Sequence, residues 1–578
     1  MKKNTLIRII KYLEANKSLV VYSFLCAILS VTASLIGPML IGKAMDEMIG
    51  AGKVNFNNIS KILLILVLVY SFGNMFTWLV TYLTNRISYE TTNAMRKHLF
   101  DKINKLPLKF YDTNAHGDII SRFINDIDII GDGMLQSISS LLTGVVTIIG
   151  ALGFMLYINP GMALVVIIST PFSFFVTKFI TVRSKKMFKA QSKTLGELNG
   201  YVEEMIGGQK VVQAFNFQKP SLEKFQRINN DLHKSGVKSQ FYGSLANPST
   251  RLVNNITYSV IGVVGSIAAI LGNITIGDIT SFLIYSTLFS KPFNDITAVL
   301  TQLQSAAASA SRIFNILDIP EEESDASKLK FKSSIGNISF NNVSFSYKKE
   351  TPLIKNFNLE VKPGCRIAIV GRTGAGKTTL VNLLMRFYDV DNGSIYIDGA
   401  NINMMTRDSL RKNFGMVLQD TWLFEGTIRQ NISYGKPDAT DEEIVLAAKA
   451  SNAHSFIRRL EKGYDTLITD AGENLSQGQK QLLTIARVML VNPSMLILDE
   501  ATSNIDTITE IHIQKAFQKM MEGRTSFVIA HRLSTIKESD LILVMDAGDV
   551  VESGTHDELL NKNGFYKKLY SSQFAAAQ

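Results

Sequence analysis

Residues 371–388 read GRTGAGKTTLVNLLMRFY. The four apolar residues before the loop, Ile367, Ala368, Ile369 and Val370, read as a buried strand, and the apolar positions after it recur at helical spacing. The stretch is thus a strand, a glycine loop and a helix, with the spacing Gly371-x4-Gly376-Lys377-Thr378. Small residues in such a loop let consecutive backbone N–H groups converge on phosphate oxygens at a helix N-terminus. Lys377 adds a point charge directed at β and γ phosphates, and Thr378 offers a hydroxyl to Mg2+. Gly371, Arg372, Thr373, Gly374, Ala375, Gly376, Lys377, Thr378 and Thr379 form the candidate phosphate-binding set.

A phosphate loop of this kind needs an acid for the metal and a group that positions water. The run MLILDE (495–500) supplies both, because four apolar residues of a buried strand deliver Asp499 and Glu500 to its end. Asp499 is the candidate Mg2+ ligand, through water, and Glu500 the group that orients the nucleophilic water or takes its proton. Segments such as ISFNNVSFSY and GSIYIDG alternate as strands do, and helical patterns occupy 442–460, 477–491 and 508–522. An α/β nucleotide-binding domain over 336–578 follows. Before it, 313–335 is charged, contains Pro320 and lacks long periodicity, which predicts a linker.

Residues 1–312 have a different character. The chain is 46% hydrophobic and 19% charged, and the apolar residues are concentrated here. Between Lys17 and Lys43 lie 25 residues without formal charge, between Lys61 and Arg86 24, between Asp132 and Lys178 45, and between Arg251 and Asp278 26. A bilayer-crossing helix needs about 20 residues, so the 45-residue run holds two crossings joined at Asn159-Pro160-Gly161. Residues 279–310 supply a further span, interrupted by Lys291 and Asp295. The reading is an all-α membrane domain of six transmembrane helices, near 18–42, 62–85, 137–157, 162–183, 250–273 and 279–305. The segments 86–132 and 178–251 are rich in Lys and Arg, which places them and both termini in the cytoplasm. Their apolar residues keep helical spacing among the charges, so the helices extend well beyond the membrane.

The Lys- and Arg-rich cytoplasmic segments account for the net charge of +10 without nucleic acid. Residues 3–14 read as a basic amphipathic helix at the membrane surface, and no cleaved signal peptide is expected. Cys26 and Cys365 have no partner nearby in sequence and read as inert thiols.

Five motifs together carry a resemblance: GRTGAGKTT, Gln419 in VLQDTWLFEGT, LSQGQ (475–479), LILDEATSNID (496–506) and His531 in IAHRLST. The set is similar to the ATP-binding cassette family, and with the preceding spans the chain resembles an ABC exporter half-transporter over residues 1–565. The resemblance implies ATP and Mg2+ as cofactors. It also implies that Tyr347 stacks on adenine, that Gln419 touches Mg2+ and water, and that His531 contacts the γ-phosphate. Ser476, Gln477, Gly478 and Gln479 are similar to the signature that caps the γ-phosphate of a nucleotide held by a second chain, with Gln477 where the family more often has glycine. Asp506 falls where the family lines its dimer seam, and the turns at 110–120 and 213–222 match its coupling helices.

One chain then holds only half of each site, and a dimer with two ATP molecules at the cassette interface is expected. The motifs resemble the catalytically complete chain of heterodimeric multidrug exporters, which favours a different partner over a second copy. Asn74, Thr143, Asn254, Asn255 and Thr257, with Phe172, Phe174, Phe175 and Phe282, suit a cavity for hydrophobic or amphiphilic compounds. The expected function is multidrug-type export at the cytoplasmic membrane. A lipid or lipid-linked precursor flippase and a peptide exporter are the alternatives, while Glu500 and His531 weigh against an ATP-gated channel or a sensor.

Overall fold

Among the described residues eleven α-helices precede the first strand: α1 (Lys3–Leu13), α2 (Lys17–Asp46), α3 (Phe56–Ile103), α4 (Leu108–Thr113), α5 (His116–Ser121), α6 (Ile127–Ile158), α7 (Pro160–Gly207), α8 (Gln209–Ala214), α9 (Gln218–Ser244), α10 (Ala246–Ile270) and α11 (Ile276–Leu317). The computed structural model describes residues 3–573 other than 50–53, 420, 470–471, 473, 500–504 and 531–532. The chain divides into two units, Met1–Lys105 with Asn114–Pro320, and Leu106–Thr113 with Glu321–Gln578.

In the first unit the ranges 18–42, 62–85, 137–157, 162–183 and 279–305 lie within long helices, and 250–273 runs past the end of α10 at Ile270. The segment His116–Ile158 and helices α2, α3 and α10 are long and apolar enough to cross a membrane. Helix α7 holds the shorter apolar stretch Pro160–Phe172, and α11 carries Lys291 and Asp295. The 48 residues of α3 and of α7 give rods of about 72 Å, more than twice the roughly 30 Å hydrocarbon layer. Asn159 opens α7 as the hairpin reading requires: its side chain accepts from the Met162 N–H, and Pro160 takes the first helical turn, where no N–H is needed.

Small residues set the closest approach in this unit. A Cβ on Gly277 of α11 would lie 2.1 Å from the Gly42 carbonyl oxygen of α2. Ser281 Oγ donates to Pro38 O at 2.8 Å, Tyr285 donates to Leu35 O at 2.5 Å, and the Asp46 carboxylate accepts from Thr275 Oγ1 and the Gly277 N–H. Phe282, expected to line a cavity, is instead fully buried in the helix core, and Thr257 is buried with its hydroxyl spent on Val253 O. Hydropathy alone does not tell which face of an apolar helix meets other helices. Phe172 and Phe175 are exposed, and the side chain of Phe174 lies outside the described residues.

Helix α1 is held by specific contacts rather than by amphipathicity alone. Arg8 pairs with Asp318 at 2.7 Å and lies 4.1 Å over the Phe314 ring, while Tyr12 Oη and His98 Nδ1 are 2.7 Å apart. Ile7 and Ile10 stay exposed.

The second unit is built on strands β1 (Ile338–Phe345), β2 (Ile354–Val361), β3 (Arg366–Gly371), β4 (Asn392–Ile397), β5 (Ala400–Asn401), β6 (Phe414–Val417), β7 (Gly426–Thr427), β8 (Leu467–Ile468), β9 (Met495–Asp499), β10 (Thr525–Ile529), β11 (Leu541–Asp546) and β12 (Asp549–Gly554). One sheet runs β12-β11-β3-β10-β9-β6, parallel except for the edge strand β12, and an antiparallel sheet runs β2-β1-β4-β5. The central parallel strands are buried on both faces, which is why they read as continuous apolar runs. Ile367 and Ile369 of β3 face one core with Leu380 of helix α12 (Lys377–Leu384), and Ala368 and Val370 face a second core with Leu482 and Ile485 of the helix Gln477–Val491.

The linker expected over 313–335 is replaced by a different arrangement. Helix α11 continues through Leu317, the units divide at Pro320, and the segment after it is bound to the second unit. Arg407 donates through its backbone N–H and its guanidinium to the Asp325 carboxylate at 2.6 and 2.9 Å, and Ser334 Oγ donates to Asp398 at 2.8 Å.

Candidate functional site

The loop 371–376 turns from β3 into α12 through left-handed backbone at Gly374 (φ 84°) and Gly376 (φ 96°). Nothing lies within 4 Å of a Cβ built on Gly374, so there it is the backbone conformation alone that calls for glycine. Lys377 folds back over the loop, its Nζ donating to Gly371 O at 2.8 Å and to Arg372 O at 3.1 Å, and only 9% of the residue is exposed. Burial, the dominant cause, pulls its ammonium below the ordinary lysine range, while the Asp499 carboxylate acts in the opposite direction. Ala375 and Thr379 are buried, Thr373 and Thr378 are exposed, and the Arg372 guanidinium lies 5.7 Å from the Phe565 ring centre.

Asp499 ends β9, and its register partners step across the sheet: Asp499 opposite Ile529 of β10, and Ile529 opposite Ile369 of β3. The carboxylate and the glycine loop therefore share the C-terminal edge of the parallel strands, where ligands bind in such sheets. By strand alternation Asp499 is on the face of Met495 and Ile497, which belong to the core that α12 covers. Gln419 follows β6 by two residues at the same edge and is exposed. The donor set at this edge comprises an ammonium, a hydroxyl, an amide oxygen and a carboxylate. It fits a polyphosphate together with a hard, oxygen-seeking cation such as Mg2+.

Tyr347 stands beside α12, its hydroxyl 3.2 Å from Thr379 Oγ1 and within 3.4 Å of Asn382 Nδ2. Phe345 and Tyr388 meet it edge-on at 84° and 88°, and the residue is 37% exposed. Tyr388 is absent from the sequence reading, although it follows α12 closely. Its hydroxyl donates to the Asp112 carboxylate of α4, a helix that overlaps the start of the expected 110–120 coupling turn and belongs to this unit. Burial, then the bond to Asp112, pushes the Tyr388 phenol above its ordinary range.

The signature residues are arranged as a helix start. Ser476 is the N-cap of Gln477–Val491, with Gln479 N–H donating to Ser476 Oγ at 3.3 Å and Ser476 N–H donating to Gln479 Oε1 at 3.0 Å. Gln477 Nε2 donates to Thr421 Oγ1 at 3.3 Å. Gly478 is buried, and a Cβ there would meet Thr509 Cγ2 at 2.4 Å. Asp506, expected at a dimer seam, caps the helix Thr507–Met521 by accepting from the Thr509 N–H at 2.9 Å, a bond that draws its carboxyl below the ordinary range. Among the described residues no hydrogen bond joins Ser476–Gln479 to 371–379. Glu500 and His531 lie outside the described residues.

Comparison with known proteins agrees with this geometry. Residues 20–293 match the family model of the ABC transporter transmembrane region and residues 354–503 that described as ABC transporter. An uncharacterized ABC transporter ATP-binding protein of Bacillus subtilis (strain 168) is 44% identical over 99% of this chain and 94% of its own. A fatty acid ABC transporter ATP-binding/permease protein of Mycobacterium bovis is 41% identical over 91% of this chain and 83% of its own. The structure of a bacterial Atm1-family ABC exporter with ATP bound superposes with a TM-score of 0.76 at 29% identity, over 96% of this chain and 98% of that one. The chain thus belongs to the ABC transporter family, as a half-transporter of the bacterial exporter type: an ATP-hydrolysing, dimerising integral protein of the cell membrane.

Proposed function

We propose that the chain exports hydrophobic and amphiphilic compounds, with acyl-chain compounds the class to test first, through six spans whose cytoplasmic extensions answer to the cassette. The observation that carries the ATP-driven part is Lys377 bridging the glycine loop on the sheet edge that also bears Asp499. The substrate class rests on the mycobacterial relative's name and on exposed aromatics such as Phe172 and Phe175.

In this reading Lys377 exchanges its two carbonyl partners for phosphate oxygens, and Tyr347 offers its open ring to the base. Thr378, Gln419 and Asp499 hold Mg2+, which when bound supplies positive charge to the β and γ phosphates. Glu500 orients the attacking water and takes its proton, and His531 steadies the γ-phosphate side. Ser476 and Gly478 serve the loop of the partner chain, consistent with a P-loop helix and a signature helix that pack into different cores. On motif style we favour a different chain as that partner.

The test is ATP hydrolysis by this chain purified alone into lipid, beside Glu500→Gln. Turnover near background in both, restored by a second half-transporter and then abolished by Glu500→Gln, is the expected result. Brisk turnover by the chain alone would replace the heterodimer with a homodimer. Turnover that survives Glu500→Gln in the active assembly would overturn the assigned role of Glu500.

A further inference from the structure

A concave site of about 570 Å3 lies on the second unit, away from the glycine loop, between the helix Asp441–Ala450, the short helix His454–Ile457 and the helix Thr507–Met521. Among the described residues its lining includes Lys449, Arg458, Arg459, His454 and His512, and no carboxylate. Other cations of this unit are matched at short range, among them Arg429 with Asp441 and Asp465, Arg407 with Asp325, and Lys436 with Glu443. Lys449, Arg458 and Arg459 take part in none of the ion pairs among the described residues. Burial, followed by the charges of Lys449 and Arg458, holds the His454 imidazole below its ordinary range.

We infer that this pocket binds a soluble, compact polyanion bearing clustered phosphoryl groups. Two adjacent guanidinium forks and an ammonium suit tetrahedral phosphoryl oxygens, with the imidazoles of His454 and His512 beside them. A protein partner would need an apolar centre to its interface, and among the described residues this lining includes no apolar residue. The floor is already braced: Asn452 Nδ2 donates to His512 O at 3.0 Å, and His454 Nδ1 lies 2.8 Å from Tyr464 Oη. An anion seated there would tie the Asp441–Ala450 region to Thr507–Met521, the helix whose Thr509 packs on Gly478 of the signature. The pocket thus gives a small anion a mechanical path to the signature, whatever compound the exporter carries.

The test uses the full chain in its assembly, in nanodiscs of zwitterionic lipid, with inorganic tripolyphosphate as the probe and calorimetry as the readout. Lys377→Ala is the background, because it weakens the other phosphate-binding site. Binding is expected there, weakened about tenfold or more by Arg458→Glu with Arg459→Glu, and falling steeply between about 0.05 and 0.5 M NaCl. Arg458→Gln with Arg459→Gln should weaken it in the same direction with an unchanged melting curve, which separates lost charge from lost folding. No binding in the Lys377→Ala background, or binding indifferent to the Arg458 and Arg459 changes, overturns the proposal. Tighter binding of polyglutamate than of tripolyphosphate also overturns it, in favour of an acidic protein surface.

Discussion

A methyl group at position 478 would sit 2.4 Å from Thr509 Cγ2 and 3.2 Å from Ile505 Cγ2, so glycine there is a packing requirement before it is a phosphate-binding one. The prediction is that Gly478→Ala lowers the melting temperature together with ATP turnover, and that adding Thr509→Ser, which removes the opposing methyl, recovers much of the stability. Recovered stability with turnover still lost would show that Gly478 acts on nucleotide as well; no recovery at all would exclude the steric account. Position 478 is singled out in the sequence by its neighbours LSQGQ, but its tertiary contact, 31 residues along the chain, leaves no sequence signal. Lys377 and Asp499 were legible because strand runs and loop spacing are local signals. Tyr388 was not, because a tyrosine after an amphipathic helix looks like any core aromatic until Asp112 and Tyr347 are placed beside it.

Ser476 shows the same duality in a whole element. As N-cap it exchanges two hydrogen bonds with Gln479, and Ser476→Ala should cost about 1 kcal/mol of stability. Aspartate caps a helix as well as serine does but places a negative charge at the same point. Ser476→Asp is therefore expected to keep the melting temperature within a degree or two, by roughly equal capping strength, while abolishing ATP turnover; retained turnover would remove Ser476 from the phosphate-facing role. The anchoring of the segment after Pro320 has no signature in the sequence, for a physical reason. Its charges lack periodicity, yet Asp325 meets Arg407 across 82 positions, and a pairing so distant leaves no local pattern. Burial pushes the Asp325 carboxyl upward, but the Arg407 N–H, the Arg407 charge and Lys328 outweigh it and leave it below the ordinary range. A lowered folded value means that the stabilisation is present above the unfolded value and is lost as pH falls through the folded one. Asp325→Asn should thus destabilise the protein by about 1–3 kcal/mol at pH 7, with a gap to the parent that narrows below about pH 4; a gap that is flat with pH would count against the charge contribution.

At the scale of the molecule, the P-loop helix and the signature helix draw on different cores of one unit, with β3 shared between them. If each complete site needs two chains, turnover per chain in detergent should fall on dilution as the assembly dissociates, and crosslinking the assembly beforehand should prevent the fall. Turnover that is constant down to a demonstrated monomer would defeat the shared-site reading. The general plan, apolar helices followed by an α/β domain, was legible because charge-free runs and strand runs are both contiguous signals. Which apolar faces are internal was not: Phe282 and Phe172 have the same hydropathy, and only the neighbouring helices separate the buried ring from the exposed one.

The bridging of the glycine loop by Lys377 has a thermodynamic consequence. A loop already held in shape by its own lysine has given up its conformational freedom during folding, not on meeting a ligand. Capture of a nucleotide is then an exchange of acceptors at Nζ, two main-chain oxygens for phosphate oxygens, with little chain left to order. Preorganisation of this kind leaves more of the interaction energy to appear as affinity.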